Sequence, residues 1–175
     1  MQNYTRTALW LHWLMALLIL AMFSLGVAIL SMHGLTPSKL KVVTIHKWIG
    51  VTVLLLACLR LLWRLFHPAP PLPDSVPAWQ KNAANALHML IYLLLFAVPL
   101  SGYLFSLAAG VPVVLFGLIP LPVVIEPDPV LRPLLRSAHF WLNTTLLLSI
   151  VMHTAAALKH HFVDRDNVLQ RMLPW

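Results

Sequence analysis

Long stretches without charged side chains are the feature that most constrains how this chain can fold. No Asp, Glu, Lys or Arg occurs between Arg6 and Lys39, and further apolar segments follow at about 42–65, 84–107 and 137–158. Crossing a bilayer core requires about 20 apolar residues in a helix. The chain is 60% hydrophobic and only 10% charged, whereas soluble domains are about 25% charged. We therefore predict an integral membrane protein with four spans.

The first span, at about 8–30, has one competing interpretation, a secretory signal peptide. The segment is long for the apolar part of a signal peptide, and no small-residue cleavage motif follows it. We therefore expect a retained helix. A chain of 175 residues has the length of one domain. The prediction is a single all-α domain over 1–175, an antiparallel four-helix transmembrane bundle.

Two connecting segments are rich in proline. HPAPPLPDSVPAW joins the second and third spans, and its prolines exclude a regular helix and favour an extended connector. The 110–133 segment is apolar but repeatedly interrupted by proline. We expect it to form a cap on the membrane face or over the bundle rather than a fifth span. Cys58 is the only cysteine; it excludes an internal disulfide, and we expect it in the core.

The basic residues predict the orientation in the membrane. Seven fall on one side of the predicted spans: Arg6, Arg60, Arg64, Lys81, Lys159, Arg165 and Arg171. Five fall on the other: Lys39, Lys41, Lys47, Arg132 and Arg136. The excess places both termini in the cytoplasm. Because the net charge of +7 is spread over short segments between apolar spans, we expect membrane lipid and no nucleic acid as its partner.

Five of the nine histidines lie within the spans, at two depths. His12, His88 and His153 belong to the inner level, and His46 and His139 to the outer level. Polar side chains inside a membrane usually face the bundle interior, with a partner or a function. His139 and His153 are fourteen residues apart, which places them within about 40° on one helix face and about 21 Å apart. His46 is the outer partner for His139, whereas His12 and His88 compete for His153.

Two facing imidazoles in an apolar helix bundle suit haem iron, which takes histidine as an axial ligand. One such pair at each depth predicts two haems stacked across the bilayer, a path for electrons. Gly26 lies fourteen residues after His12, and Gly50 lies one turn after His46; both would let a haem approach the backbone. Arg60 lies on the His46 face at the inner level, where it could pair with a haem propionate.

Other interpretations of the histidines are possible. Each could be a structural residue that hydrogen-bonds between helices. A zinc or copper site needs three or four ligands together. The outer level has no supporting Cys or carboxylate, and the inner level is richer in histidine but has no acid within the spans. A proton pathway would need intramembrane Asp or Glu, and no predicted span contains one.

The chain resembles the bacterial four-helix cytochrome b561 family, which is similar to the di-haem membrane subunits of formate dehydrogenases and nickel–iron hydrogenases. The resemblance covers nearly the whole chain. It rests on these motifs: LHW, IHKWIG, RLLWRL, LHMLIYLL, FGL, HFWLN, HTAAALKHHF and DNVLQRMLP. The two histidines fourteen residues apart are its most specific feature.

The resemblance implies two b-type haems, an inner one held by His12 and His153 and an outer one held by His46 and His139. It also implies that His88 and His160 contact a quinone. Imidazole suits quinone reduction, because it exchanges protons near neutral pH. This chain has PLPDSVP where the resembling proteins have lysines, and only Lys81 lies nearby.

The resembling proteins are superoxide oxidases of the bacterial inner membrane that reduce ubiquinone. The resemblance implies the same reaction here. A positive rim would steer superoxide to the outer face, although the same side chains could simply anchor the helix ends. The rim comprises Lys39, Lys41, Lys47, Arg132 and Arg136. The alternative function is a membrane-anchor subunit that relays electrons between the quinone pool and a dehydrogenase or periplasmic cytochrome. The third interpretation is a bare structural bundle.

Overall fold

The computed structural model describes residues 4–71, 73 and 76–173. This part of the chain contains four long helices: α1 (Arg6–Ser31), α2 (Pro37–Phe66), α3 (Ala78–Ala108) and α4 (Leu131–Lys159). A π-helical turn (His160–Asp164) continues α4, and a 3-10 turn (Gln170–Met172) lies near the end. All four helices are long and apolar enough to cross a membrane, so the predicted all-α membrane architecture is confirmed.

Each helix contains one predicted span and extends beyond it at both ends. Threonine side chains begin the first two helices. The Thr5 hydroxyl accepts the Ala8 N–H at 3.3 Å, and the Thr36 hydroxyl accepts the Lys39 N–H at 3.2 Å. Such caps satisfy N–H groups that the first helical turn leaves unpaired. The spans were predicted from apolar residues alone, so they omit these polar ends.

The helices pack mainly in two pairs, α1 with α2 and α3 with α4, and α2 also contacts α3. Two small clusters of buried side chains hold the bundle together. The clusters are Met15, Val53, Ala57 and Leu95 in the first, and Leu94, Val98 and Leu146 in the second. The first joins α1, α2 and α3, and the second joins α3 to α4.

Large apolar side chains cover the outside of the bundle. Leu17 and Leu20 on α1 are each 65% exposed, and Leu93 on α3 is 62% exposed. This pattern suits a surface in contact with lipid tails. Cys58 is also exposed, so the prediction of a core cysteine was wrong. Lipid is as apolar as a protein core, and an apolar sequence run therefore does not distinguish a lipid-facing position from a buried one.

The predicted cap between α3 and α4 contains a short hairpin that the sequence did not predict. Strand β1 (Val114–Leu115) pairs antiparallel with β2 (Ile119–Pro120). Phe116 and Gly117 turn the chain with φ values of 52° and 73°, a left-handed conformation that glycine adopts readily. The Trp48 indole N–H donates to the Val114 carbonyl at 2.7 Å, which ties the hairpin to α2.

The end of the chain folds back onto the bundle. The Trp13 indole N–H donates to the Met172 carbonyl at 2.6 Å, and the Arg171 guanidinium donates to the Pro71 carbonyl at 2.8 Å. These contacts hold the C-terminal segment beside α1 and the proline-rich connector. The PLPDSVP motif of that connector lies partly outside the described residues, which do not include 72, 74 and 75.

Asp128 organises the start of α4. Its carboxylate accepts the N–H of Val130 at 2.7 Å and that of Leu131 at 2.9 Å. These two donors favour the ionised form and hold the pKa of Asp128 below its ordinary value of 3.8. The stability that Asp128 contributes is therefore fully present above that ordinary value, and it is lost as pH falls through the lowered pKa.

We expect Asp128→Ala to lower the melting temperature of the detergent-solubilised protein by a few degrees at neutral pH, because two N–H groups lose their acceptor. The difference from the unmodified protein should disappear as the pH falls through the lowered pKa. Asp128→Asn keeps an acceptor oxygen and should give a smaller, pH-independent change. Thermal unfolding followed by circular dichroism at several pH values measures both. A constant effect of the alanine variant at every pH would contradict the role of the charge.

Candidate functional site

Helix α4 carries His139 near its start and His153 near its end. The helix is continuous between them, so the expected separation of about 21 Å along one face applies. The two histidines therefore define two levels of the bundle. We call them the His139 level, near the hairpin, and the His153 level, near the chain ends.

A second histidine faces α4 at each level. The His46 ring of α2 lies 6.4 Å from the His139 ring, centroid to centroid, with an interplanar angle of 84°. The His12 ring of α1 lies 6.2 Å from the His153 ring, at 68°. All four histidines are partly buried. The structure thus brings together both histidine pairs that the family resemblance implied.

These separations fit two imidazoles on opposite sides of one iron. Imidazole nitrogens bind metal ions at about 2 Å, and the ring centre lies about 1 Å behind the nitrogen, so the centroids of two such rings are roughly 6 Å apart. Both pairs match. His88 is the competing candidate at the His153 level, and its ring lies 5.2 Å from that of His153. That separation is shorter than a pair on opposite sides of one iron requires, which favours His12 as the partner.

Hydrogen bonds fix the orientation of His139. Its Nδ1 lies 3.0 Å from the Val98 carbonyl and 3.0 Å from the Ser101 hydroxyl. A carbonyl only accepts, so Nδ1 carries the proton and donates it to Val98. Nε2 is then unprotonated and free to bind a metal, as in other metal-binding histidines whose second nitrogen is hydrogen-bonded. These contacts with α3 were not predicted from the sequence.

Gly102 lies directly against the His139 ring. A Cβ at position 102 would lie 2.8 Å from His139 Cε1 and 3.1 Å from Nδ1. Glycine is therefore required for α3 to pass this close to the imidazole. Sequence reasoning missed Gly102. The nearby LSGY sequence offers only a weak signal, since glycine is common in membrane helices.

His46 has a different environment. Its Nδ1 is buried and has no hydrogen-bond partner within the described residues. Buried polar atoms rarely remain unpaired. An unpaired imidazole nitrogen beside a second imidazole is consistent with a site that takes up a further group between the two rings.

Arg60 lies at the His153 level, as predicted, beside a proposed ligand. One of its guanidinium nitrogens lies 3.1 Å from His12 Nδ1. Guanidinium only donates, so His12 Nδ1 accepts and the ring proton lies on Nε2. For His12 to hold haem iron through Nε2, the ring proton would have to lie on Nδ1, and Nδ1 could then no longer accept from Arg60. Arg60 and Arg64 also lie 5.7 and 5.9 Å from the Tyr92 ring centre, a cationic cluster suited to carboxylates such as propionates.

The two glycines singled out from the sequence lie in more open surroundings than Gly102. Among the described residues, a Cβ at Gly26 would meet no atom within 4 Å, and one at Gly50 would meet only the Met22 methyl at 3.4 Å. Neither glycine is required by a neighbouring protein atom. Their expected role, to let a flat cofactor approach the helix, stays a prediction.

The two histidines assigned to a quinone lie in separate places. His88 packs on His153, deep in the bundle. His160 lies beyond α4, where its Nδ1 is 2.6 Å from an Asp166 oxygen and 3.4 Å from an Asp164 oxygen. The sequence places His160 among basic residues, but the structure places it against two carboxylates. Asp164 also pairs with Lys159 at 2.5 Å.

The five basic residues of the predicted rim divide into two groups. Lys39 donates to the Met32 carbonyl at 2.6 Å, and Lys47 donates to the Ser106 hydroxyl at 3.3 Å; both are partly buried. The other three are exposed: Lys41, Arg132 and Arg136. The exposed group is the better placed to meet a solute anion.

Comparisons with known proteins identify a family and several relatives that match most of the chain. The sequence profile of a family described as "Prokaryotic cytochrome b561" matches residues 3–175. The chain is 39% identical to "Cytochrome b561 homolog 2" of Escherichia coli (strain K12) over 163 residues, 93% of this chain and 86% of the relative. It is 30% identical to "Probable superoxide oxidase CybB" of Yersinia pestis over 175 residues, 99% of this chain and 97% of the relative. The similarity therefore extends over all four helices.

Proposed function

We propose a function for this chain from the premise that it belongs to the prokaryotic cytochrome b561 family. As a member, it is a multi-pass bacterial membrane protein that binds haem b and transfers electrons across the membrane. The specific reaction that we propose is oxidation of superoxide coupled to reduction of ubiquinone. Two superoxide ions, one quinone and two protons give two oxygen molecules and one quinol, which balances atoms and charge.

Two pairs of facing histidines, one at each end of α4, are the observation that carries this proposal. His12 with His153, and His46 with His139, would each hold one haem b. The chemistry that haem b supplies when bound is one-electron oxidation and reduction. The chain itself orients His139 through Val98. One haem at each level would let a one-electron donor react at one membrane face and a two-electron acceptor react at the other.

The proposed orientation places the His139 level at the periplasmic face and both termini in the cytoplasm. The seven-to-five distribution of basic residues supports it. Superoxide would then arrive where Lys41, Arg132 and Arg136 are exposed. Positively charged side chains clustered around one face raise the encounter rate of a small anion. The Yersinia pestis relative, whose printed name contains superoxide oxidase, supports the choice of donor.

The direct test uses the purified protein alone, supplied with enzymatically generated superoxide and a soluble ubiquinone analogue. We expect quinol formation faster than the uncatalysed reaction, abolished by superoxide dismutase and slower at higher ionic strength. Absorbance at the quinone band follows the reaction. A rate equal to the uncatalysed one would reject superoxide as the donor.

Removing the exposed arginines tests the steering. We expect Arg132→Gln/Arg136→Gln to lower kcat/KM for superoxide several-fold at low salt, and the difference to shrink as salt screens the remaining charges. The matched comparison removes one exposed arginine at each end of the bundle, Arg136→Gln at the His139 level and Arg6→Gln near the opposite end. If these two single variants lose the same amount, the location of the charge is irrelevant and the steering proposal fails.

A second candidate function is a membrane-anchor subunit that exchanges electrons with a dehydrogenase or periplasmic cytochrome. The hairpin favours it, because Phe116 is 55% exposed and Leu118 is 81% exposed at the His139 level. Exposed apolar side chains at a tip are suited to protein docking. Failure of the superoxide test, together with two haems that a quinol can reduce, would support this function.

A further inference from the structure

The π-helical turn after α4 places His160 in a defined position. His160 follows His153 by seven residues, which corresponds to about 10 Å along a helix and nearly the same face. The His160 side chain is 15% exposed. The imidazole is therefore partly shielded from water while lying beyond the His153 level, toward the end of the bundle that carries the chain ends.

Asp166 holds His160 at two points. The Asp166 backbone N–H donates to the His160 carbonyl at 3.1 Å, and its carboxylate Oδ2 lies 2.6 Å from His160 Nδ1. The other carboxylate oxygen accepts the Val168 N–H at 3.0 Å. Arg165 has the left-handed φ of 54°, which reverses the chain so that Asp166 reaches back. Both oxygens of Asp166 are thus engaged, and the carboxylate has a fixed direction.

A cavity of about 310 Å³ opens onto this pair. Its lining residues are Val76, Pro77, Gln80, His160, Asp164 and Asp166. The size lies at the lower end of the range for sites of small organic molecules. Val76 and Pro77 form the apolar part of the wall, and the carboxylates of Asp164 and Asp166 form an acidic part. The Gln80 amide and the His160 imidazole offer donors for carbonyl oxygens. This combination suits the ring of a quinone, which has an apolar body and two carbonyl groups.

We infer that Asp166 is a positioning residue that fixes the tautomer of His160, so that His160 delivers protons from water to a quinone reduced in this cavity. The inference rests on the proposed function for the quinone. A carboxylate only accepts, so Nδ1 keeps its proton and Nε2 is the exchanging nitrogen. The Nε2–H bond breaks as an O–H bond forms on the quinone, and water then reprotonates Nε2. The quinone takes two electrons and two protons in all, and the electrons come from the donor through the protein.

The charged neighbours of His160 have separate partners. Asp164 approaches His160 Nδ1 at 3.4 Å, but its two oxygens lie 2.8 and 2.5 Å from the Lys159 ammonium group. Asp164 is therefore paired with the Lys159 ammonium group, whereas the Asp166 carboxylate is the hydrogen-bond partner of His160 Nδ1. This difference assigns the positioning role to Asp166.

The test measures how quickly quinone reoxidises the holoprotein after chemical reduction, in a stopped-flow instrument at the haem absorbance band. We expect Asp166→Asn to lower the maximal rate by about tenfold or more, with a half-saturating quinone concentration within about twofold of the original. The solvent deuterium isotope effect should rise, because proton transfer becomes slower. A changed half-saturation with an unchanged maximal rate, or no change at all, would overturn the inference.

A second variant keeps the proposal testable if Asp166→Asn folds poorly. His160→Asn retains an N–H donor toward Asp166 but has no transferable ring proton, so the same fall in maximal rate is expected. An unchanged maximal rate in His160→Asn would overturn the inference. Loss of haem from Asp166→Asn, with the full haem content kept in His160→Asn, would also overturn it. Asp128→Asn is the matched control and should leave the kinetics unchanged, since Asp128 lies at the other end of α4.

The design separates this inference from the proposed function. Chemical reduction replaces superoxide, so the result does not depend on the donor. If the reduced, unmodified protein is not reoxidised by quinone at all, the proposed acceptor is wrong. If it is reoxidised but Asp166→Asn behaves normally, the acceptor stands and the role of Asp166 is rejected.

Discussion

Replacing His139 with alanine is expected to lower the haem b content from about two to about one per chain. His139 and His46 have the ring separation of a pair on one iron, and His139 has its Nδ1 fixed by Val98. His153→Ala should remove the other haem, leaving the His46–His139 pair intact. Because His139 and His153 lie about 21 Å apart on α4, loss of the haem at one level should leave the histidine pair at the other level able to bind haem.

Pyridine haemochrome absorbance, set against protein concentration, measures the haem content. His33→Ala is the matched control, since His33 is an exposed loop histidine, and it should retain both haems. His88→Ala should also retain both, because the His88 ring lies closer to His153 than a partner on the same iron would. Two haems in either ligand variant would reject the pairing, and one haem in His88→Ala would make His88 a ligand.

Gly102→Ala should weaken haem binding at the His139 level while leaving the His153 level intact. The added Cβ would lie 2.8 Å from His139 Cε1, closer than nonbonded carbon atoms approach. Either the ring turns away from the Val98 carbonyl or α3 moves from α4. Overpacking of this kind costs about 1–3 kcal/mol. We expect partial loss of one haem and a changed spectrum for the remainder, measured by titration of haem into the purified variant.

Gly26→Ala is the informative comparison. The same methyl group there would meet no atom of residues 4–71, 73 or 76–173 within 4 Å, so we expect no change of the fold from contacts with these residues. If haem content falls in this variant, a flat cofactor does lie against α1 at Gly26, as the sequence predicted. If Gly102→Ala binds haem as well as the unmodified protein, the close contact with His139 has no functional importance.

The sequence predicted the helices and the main histidine levels because both depend on local spacing. Four apolar segments and the fourteen-residue interval in α4 are visible without tertiary structure. The choice between His12 and His88 could not be made from depth alone. The family resemblance favoured His12, and the distances across the bundle, 6.2 Å from the His153 ring to that of His12 and 5.2 Å to that of His88, favour the same choice.

Contacts between distant parts of the chain were not predictable. Ser101 and Gly102 lie 38 and 37 residues before His139, and nothing local indicates that α3 approaches α4 there. Asp166 follows His160 by six residues, a spacing that a regular α-helix places on different faces. The π-helical turn and the left-handed Arg165 bring them together. Cys58 illustrates a second limit. Hydropathy does not show whether an apolar residue of a membrane helix faces lipid or the interior of the bundle.

Because one uninterrupted helix holds His139 and His153, the rise per residue of a regular α-helix sets the interval between the two levels. Relative sliding of α1, α2 and α3 would alter each site without changing that interval. Inserting one residue between the two histidines would rotate half of α4 by about 100° and misalign one site, whereas inserting seven would nearly restore the alignment at a longer span. Electron tunnelling weakens steeply with distance, so if each pair holds a haem, α4 would act as a spacer of fixed length between the two electron-transfer sites.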